Sequence, residues 1–366
     1  MTILIVIIGL SLLILGHEWG HFFAAKKFGL KIDEFGFGFP PRIFAWRPKS
    51  KLKKGDPASA LATARRSETE YSFNWLPFGG FVKIAGENDR MVGDLSKLND
   101  LTEPEKKRIF LFQPAWKRSV IILAGIFINF VIGWVLFSAV AMIGTPPALI
   151  ISSIQEGSPA EMAGIKPNDV VKDYKDADLF ISFVNENRGR EISFLVLRGS
   201  EEVVIKATPR AKAVEGEGGL GVGLAPAGAS PEGFFGSMAS GFEQTVYVTK
   251  GTFAGFYMML KGLITTGKVP ADISGPVGIF SVANEIGKIG YAYLINLIAL
   301  ISVNLAVLNL IPFPALDGGR FVMILAEKVK GSPVPVKIEG IINGVGFALL
   351  LLLMVVITAR DVVRLF

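Results

Sequence analysis

Long apolar runs alternate with polar stretches along this chain, and their spacing predicts where it crosses a lipid bilayer. The runs extend from Ile3 to about Ala25, from Ser119 to Gly144, from roughly Tyr291 to Pro312 and from about Ile341 to Thr358. Each is long enough to cross a hydrocarbon layer of about 30 Å as a helix. A fifth stretch, Gly241 to Leu263, carries Glu243, Lys250 and Lys261, which are unfavourable inside a bilayer. An amphipathic helix at the interface is expected there instead. The first run has no basic residue ahead of it and is followed by Lys26, Lys27 and Lys31, so it reads as a span rather than a cleaved leader.

Between the runs the period changes. "YSFNWLPFGGFVKI" (Tyr71 to Ile84) is β-rich with a turn at Gly79–Gly80, and "FGFGF" (Phe35 to Phe39) alternates in a similar way. Strand-like "EISFLVLRG" and "EEVVIKATP" lie beyond the second run, followed by "GGLGVGL". Lys and Arg outnumber Asp and Glu between the first two runs, whereas acidic residues outnumber basic ones between the second run and Pro231. By charge bias the first loop is cytoplasmic and the second lies outside the cytoplasm.

Composition agrees with a protein partly in lipid. Of 366 residues, 51% are hydrophobic and only 19% charged, against about 25% charged in soluble domains. The net charge of +6 is modest and unevenly placed, and no nucleic-acid partner is expected. There is no cysteine, which excludes disulfides, thiolate metal sites and cysteine nucleophiles. The chain has two histidines, and both fall within the first apolar run, in "LLILGHEWGHFF".

Four residues apart on a helix, His17 and His21 share a face, with Glu18 beside them. This is the H-E-x-x-H pattern, in which two imidazoles ligate zinc and the glutamate acts as general base. Ionisable groups inside an apolar run point to function rather than helix packing. A catalytic zinc takes three protein ligands and keeps one position open. With no third histidine and no cysteine, the third ligand must be a carboxylate. Glu243, Asp272 and Glu285 lie in polar or loop surroundings and Asp361 at the end of the last run. Asp317, after the helix-breaking Pro312 and Pro314 in "NLAVLNLIPFPALDGGR", is the best placed. Glu18 lies about 12 Å from the lysines that end the first helix. Asp317 reaches that depth only if the chain has four spans.

These residues resemble the site-2 protease family of intramembrane metalloproteases, and among them the bacterial regulator-of-sigma-E protease group. The likeness rests on "HEWGH", on "NLIPFPALDGG", on "WKRSVIILAGIFINF" with Gly125 and Asn129, on "YSFNWLPFGGFVKIAGE" and on "SGPVGI" (Ser274 to Ile279). It covers nearly the whole chain. The resemblance implies that His17, His21 and Asp317 hold Zn2+, that Glu18 is the catalytic glutamate and that Asn309 holds substrate backbone near the metal. Asn129 and Gly125 fit close helix packing. "ISSIQEGSPAEMAGIKPNDVVKDYKD" resembles the core of a PDZ domain, with Asn168 where glycine is usual and "DYKD" in place of the usual turn. Whether that domain binds a peptide or only excludes bulky partners stays open.

The expected fold is a polytopic α-helical membrane protein with four transmembrane helices, membrane-associated β segments and one extracytoplasmic PDZ-like α/β domain. The first transmembrane helix with its HExxH is expected in residues 1–28, a cytoplasmic loop with the β segments in 29–115 and the second helix in 116–144. The PDZ-like domain is expected in 145–225, an interfacial amphipathic region in 226–288, the third helix and LDG motif in 289–320 and the fourth helix in 321–366. The expected activity is cleavage of transmembrane segments, of anti-sigma factors or leftover signal peptides for example, in a bacterial cytoplasmic membrane with the site toward the cytoplasm. A substrate helix must unwind to expose its carbonyls, and an edge strand can take up the freed hydrogen bonds. Phe81, Val82, Lys83 and Ile84 are the expected substrate-binding strand. The rivals are an inactive membrane-anchored PDZ scaffold and a transporter, though the chain lacks the paired broken helices of the latter.

Overall fold

The computed structural model describes residues 2–48, 69–87, 101–174, 176–198, 201–212, 218–266 and 275–365. In chain order the first elements are α1 (Thr2–Lys27), β1 (Ile32–Trp46), β2 (Glu70–Ile84), the short α2 (Glu103–Lys106) and α3 (Ala115–Ile143). Then come β3 (Thr145–Ile154), α4 (Pro159–Met162), β4 (Val170–Val171), α5 (Ala177–Glu186), β5 (Ile192–Arg198), β6 (Glu201–Ala207) and β7 (Val222–Ala229). The last are α6 (Phe234–Thr266), α7 (Pro276–Ile289), α8 (Tyr291–Leu310), α9 (Asp317–Lys330) and α10 (Val336–Leu365). Among the described residues four helices are long and apolar enough to cross a membrane: α1, α3, α8 and most of α10. The stretch from 241 to 263 lies inside α6, which is not one of the four.

The chain divides into two compact units. The first comprises Met1–Val135, Glu243–Phe280 and Ile298–Phe366. Small residues let its helices approach closely, as expected where hydrophobic burial gives helices in lipid no preference for each other. A Cβ on Gly20 would lie 2.6 Å from the Ala124 carbonyl oxygen, so α1 and α3 cross with their backbones in contact. A Cβ on Gly133 would meet Val303 at 2.4 Å, where α8 packs on α3. Polar side chains tie α8 to α3 and to α6: Ser302 Oγ donates to the Asn129 carbonyl at 2.8 Å, and Thr252 Oγ1 to Asn304 Oδ1 at 2.6 Å.

β1 and β2 pair twice. Glu34 lies opposite both Lys83 and Glu70, Phe35 opposite both Val82 and Tyr71, and Phe37 opposite both Gly80 and Phe73. Tyr71 and Phe73 also face Trp46 and Phe44. The hairpin therefore doubles back into four antiparallel segments, with 80–84 at one edge and 42–46 at the other. Gly38 and Gly79, with φ of 74° and 75°, supply the left-handed conformations where the two strands turn. The inner end packs Ile32 and Ile84 against Phe22 of α1 and Ile121 and Ile122 of α3. The turn end and the far edge leave aromatic side chains exposed, Trp75 by 68% and Trp46 by 53%. Beneath, Glu34 accepts from Arg42 at 2.7 Å and from Lys83 at 2.8 Å.

The second unit comprises Leu136–Phe242 and Ser281–Leu297 and contains a five-stranded antiparallel sheet in the order β6-β5-β4-β3-β7. Its core joins Leu149 and Ile151 of β3, Phe180 and Val184 of α5 and Val196 of β5. α5 is capped by Asp176, whose Oδ1 accepts from Asp178 N–H at 2.7 Å, so the aspartate ending "DYKD" starts a helix. Asn168 has φ of 71°, the left-handed conformation for which glycine is usual and which asparagine tolerates. Asp169 is buried and receives a two-pronged bond from Arg198, at 2.9 and 2.7 Å. This is a PDZ-like β-domain.

Candidate metal centre and active site

α1 places His17 and His21 one turn apart, where both rings face α3. Gly125 makes room for them, since a Cβ there would lie 2.4 Å from His21 Nε2 and 2.9 Å from His17 Cε1. The glycine expected to serve helix packing thus also shapes the site. His21 Nδ1 lies 2.9 Å from the Ile121 carbonyl, which assigns its proton to Nδ1 and leaves Nε2 as a lone-pair donor.

Asp317 arrives from the other end of the chain. Pro312 and Pro314 end α8, and the chain turns through Ala315 with φ of 71° before α9 begins at Asp317. A Cβ on Gly318 would lie 2.2 Å from the Ile311 carbonyl oxygen and one on Gly319 2.2 Å from that of Phe313. Only glycines let the first turn of α9 fold so tightly on the end of α8. α10 supports the turn: Asn343 Oδ1 accepts from Ala315 N–H at 3.2 Å, and Gly346 packs on Pro314.

The three donors converge. His17 Nε2 lies 3.0 Å and His21 Nε2 3.2 Å from Asp317 Oδ2, and the two imidazole nitrogens are 3.1 Å apart. All three residues are buried. Donors about 2.0–2.1 Å from a tetrahedral zinc lie about 3.3 Å apart, so this triangle has the size a zinc ion requires. The lone pair on His21 Nε2 faces the Asp317 carboxylate oxygen at 3.2 Å, an arrangement that a cation reconciles. The donor set and the spacing fit zinc.

Glu18 shares with these ligands a partly open cavity of about 390 Å³, which Asn309, Phe81 and Val82 also line. Val82 N–H donates to Glu18 Oε2 at 3.1 Å. The other two members of the expected binding strand face elsewhere: Lys83 pairs with Glu34, and Ile84 is buried in the core beside Phe22. Of the other candidate carboxylates, Glu243 is exposed, and Asp361 accepts from the N–H groups of Gly275 and Gly278 at 2.9 and 2.8 Å. Asp361 thus caps the start of α7. Asp272 lies outside the described residues.

Two wall residues, Arg320 and Glu87, escaped the sequence reading, and a third, Asn129, was read there only as close helix packing. Arg320 Nη1 donates to Glu87 Oε1 at 2.8 Å, tying α9 to the end of β2. Burial pushes the Glu87 carboxyl up from its ordinary value, against the pull of Arg320. Asn129 is buried, lines the cavity and leaves its Oδ1 without a hydrogen-bond partner among the described residues. The available signals were slight: Arg320 is three residues past Asp317, Glu87 ends the β-rich segment, and Asn129 is a lone amide in an apolar helix.

Known proteins resemble this chain in sequence over nearly its whole length. The sequence model of peptidase family M50 matches residues 5–53 and 57–353. Zinc metalloprotease RasP of Oceanobacillus iheyensis is 28% identical over 445 aligned residues, covering 100% of this chain and 99% of its own. Regulator of sigma-W protease RasP of Bacillus subtilis is 27% identical over 442, covering 100% and 99%. A relative from Clostridium acetobutylicum is 33% identical over 368, covering 99% and 97%.

Proposed function

Because the chain belongs to peptidase family M50 and is an intramembrane zinc metalloprotease acting on membrane proteins, we propose that His17, His21 and Asp317 hold the zinc and Glu18 is the general base. The observation that carries this is the convergence of three donor atoms within 3.2 Å of one another, in a cavity that Glu18 shares. When bound, zinc lowers the pKa of a water molecule toward 7 and polarises the scissile carbonyl as a Lewis acid. Glu18 takes the proton of the attacking water and delivers it to the leaving amine. His21 is kept in the required tautomer by the Ile121 carbonyl.

The edge segment from 80 to 84 is the substrate dock. A transmembrane helix exposes no carbonyl until it unwinds, and an edge strand inside the cavity returns the hydrogen bonds lost on unwinding. Phe81 and Val82 contact the substrate, Lys83 and Ile84 hold the strand in place, and Asn309 steadies the backbone from α8. The substrates are transmembrane segments, such as those of anti-sigma factors or leftover signal peptides.

The protein lies across a bacterial cytoplasmic membrane with the metal toward the cytoplasm and the PDZ-like domain outside. Lys26 and Lys27 at the end of α1 support that orientation. In the PDZ-like domain, β7 is an edge strand with α5 beside it, a layout suited to strand addition by a peptide.

The test is cleavage of a purified model transmembrane substrate, with the new termini mapped by mass spectrometry. The wild type cuts inside the apolar segment, and Glu18→Gln abolishes the cut without loss of folding. Cleavage by Glu18→Gln at the wild-type rate would remove Glu18 from the reaction.

A further inference from the structure

Strand addition needs outward-facing backbone groups, and the edge beside the metal offers few. In an antiparallel ladder alternate residues turn both N–H and C=O toward the partner strand or away from it. Val82 N–H points away from β1, because it donates to Glu18 Oε2 at 3.1 Å. The outward positions of this edge are therefore Gly80, Val82 and Ile84. The Ile84 carbonyl is already used, accepting from Glu87 N–H at 3.1 Å. Gly80 lies against α1, where a Cβ would approach Leu15 to 2.9 Å. Val82 is thus the central residue at which a further strand can pair, and its one donor is occupied by the carboxylate that the reaction needs.

Resting on the reading of Glu18 as the base and this edge as the dock, we infer that the Val82 amide is a shared donor. It holds Glu18 in the resting protein and passes to a substrate carbonyl when an extended segment pairs with the edge. One N–H makes one well-aligned hydrogen bond, so docking and restraint of Glu18 exclude each other. Docking then frees the carboxylate for the attacking water, and an empty dock keeps it turned toward the strand. Val82 is a positioning residue that acts through its main chain, and its isopropyl group is incidental to this role.

The competition is read by a double-mutant cycle on binding. Glu18→Gln and Glu18→Ala, each with and without Val82→Pro, are loaded with zinc in lipid nanodiscs. Affinity is measured by the anisotropy of a fluorescein-labelled transmembrane peptide with a Gly-Pro centre. Glutamine keeps an acceptor oxygen, whereas alanine leaves Val82 N–H unoccupied. Glu18→Ala should bind roughly 2- to 10-fold tighter than Glu18→Gln, the weight of one hydrogen bond, and the difference should vanish with Val82→Pro. Proline is tolerated where the N–H faces away from the ladder, so the strand persists. Equal affinities with Val82 intact, or a ratio unchanged by Val82→Pro, would overturn the inference. Should Val82→Pro fail to hold zinc, exchange of the Val82 amide decides instead. It should quicken in Glu18→Ala relative to Glu18→Gln and slow again with peptide, and equal exchange would overturn the proposal. Persistent cleavage by Glu18→Gln would strike at the reading of Glu18 itself and leave the competition to be judged by these binding data.

Discussion

At Gly125 the backbone of α3 passes so close to two imidazoles that no side chain fits between them, and this contact shows what the site asks of single residues. Gly125→Ala should weaken zinc binding by about 10- to 100-fold, the range seen when groups supporting metal ligands are disturbed. Competition with a chelator measures it, and unchanged affinity would show that the rings can shift without loss. His17, Glu18 and His21 were legible because the chain's two histidines stand in an apolar run, where ionisable groups are conspicuous. Asp317 was legible because cysteine is absent and two prolines stop the helix before it. Gly125 was read only in part, since a glycine in a span signals close approach without saying to what. Glu87 and Arg320 were invisible because they meet across 233 residues of sequence, and nothing local in either segment announces the other.

Among the elements, the doubled hairpin was the least readable. The β-rich composition and the Gly79–Gly80 turn announced strands, and period-two alternation showed which side chains share a face. Alternation does not choose partners, however, and only the observed register puts 80–84 at the edge. Because Val82 N–H faces outward, Lys83 N–H faces the ladder toward β1. Lys83→Pro should therefore break the edge and lower cleavage by about tenfold or more while zinc content stays at the wild-type level. Lys83→Ala, which removes only the ion pair with Glu34, separates the two contributions and should retain most activity. Full cleavage by Lys83→Pro would mean that the strand does not carry substrate. The helices needed less inference: uninterrupted apolar runs of membrane-crossing length admit few other structures, and α1, α3, α8 and α10 each match one such run.

For the whole molecule, the four spans and the positions of Glu18 and Asp317 depend on each other. A fifth crossing between α3 and α8 would carry Asp317 to the surface opposite Lys26 and Lys27, yet Asp317 and His17 meet at 3.0 Å. The orientation we propose rests on the charge bias of the loops, and the absence of cysteine makes it simple to measure. A single cysteine introduced at Asp178 should react with a membrane-impermeant maleimide in intact cells, and one at Lys107 only after the membrane is opened. The reverse pattern would invert the topology. The metal centre is tested most directly by zinc content per chain in purified wild type, Asp317→Ala and Glu18→Gln, measured together with cleavage. About one zinc is expected in the wild type and in Glu18→Gln, as three protein ligands and one open position require, with activity in the wild type alone and zinc lost from Asp317→Ala. A full complement of zinc in Asp317→Ala would contradict that expectation, because the third ligand would then lie elsewhere.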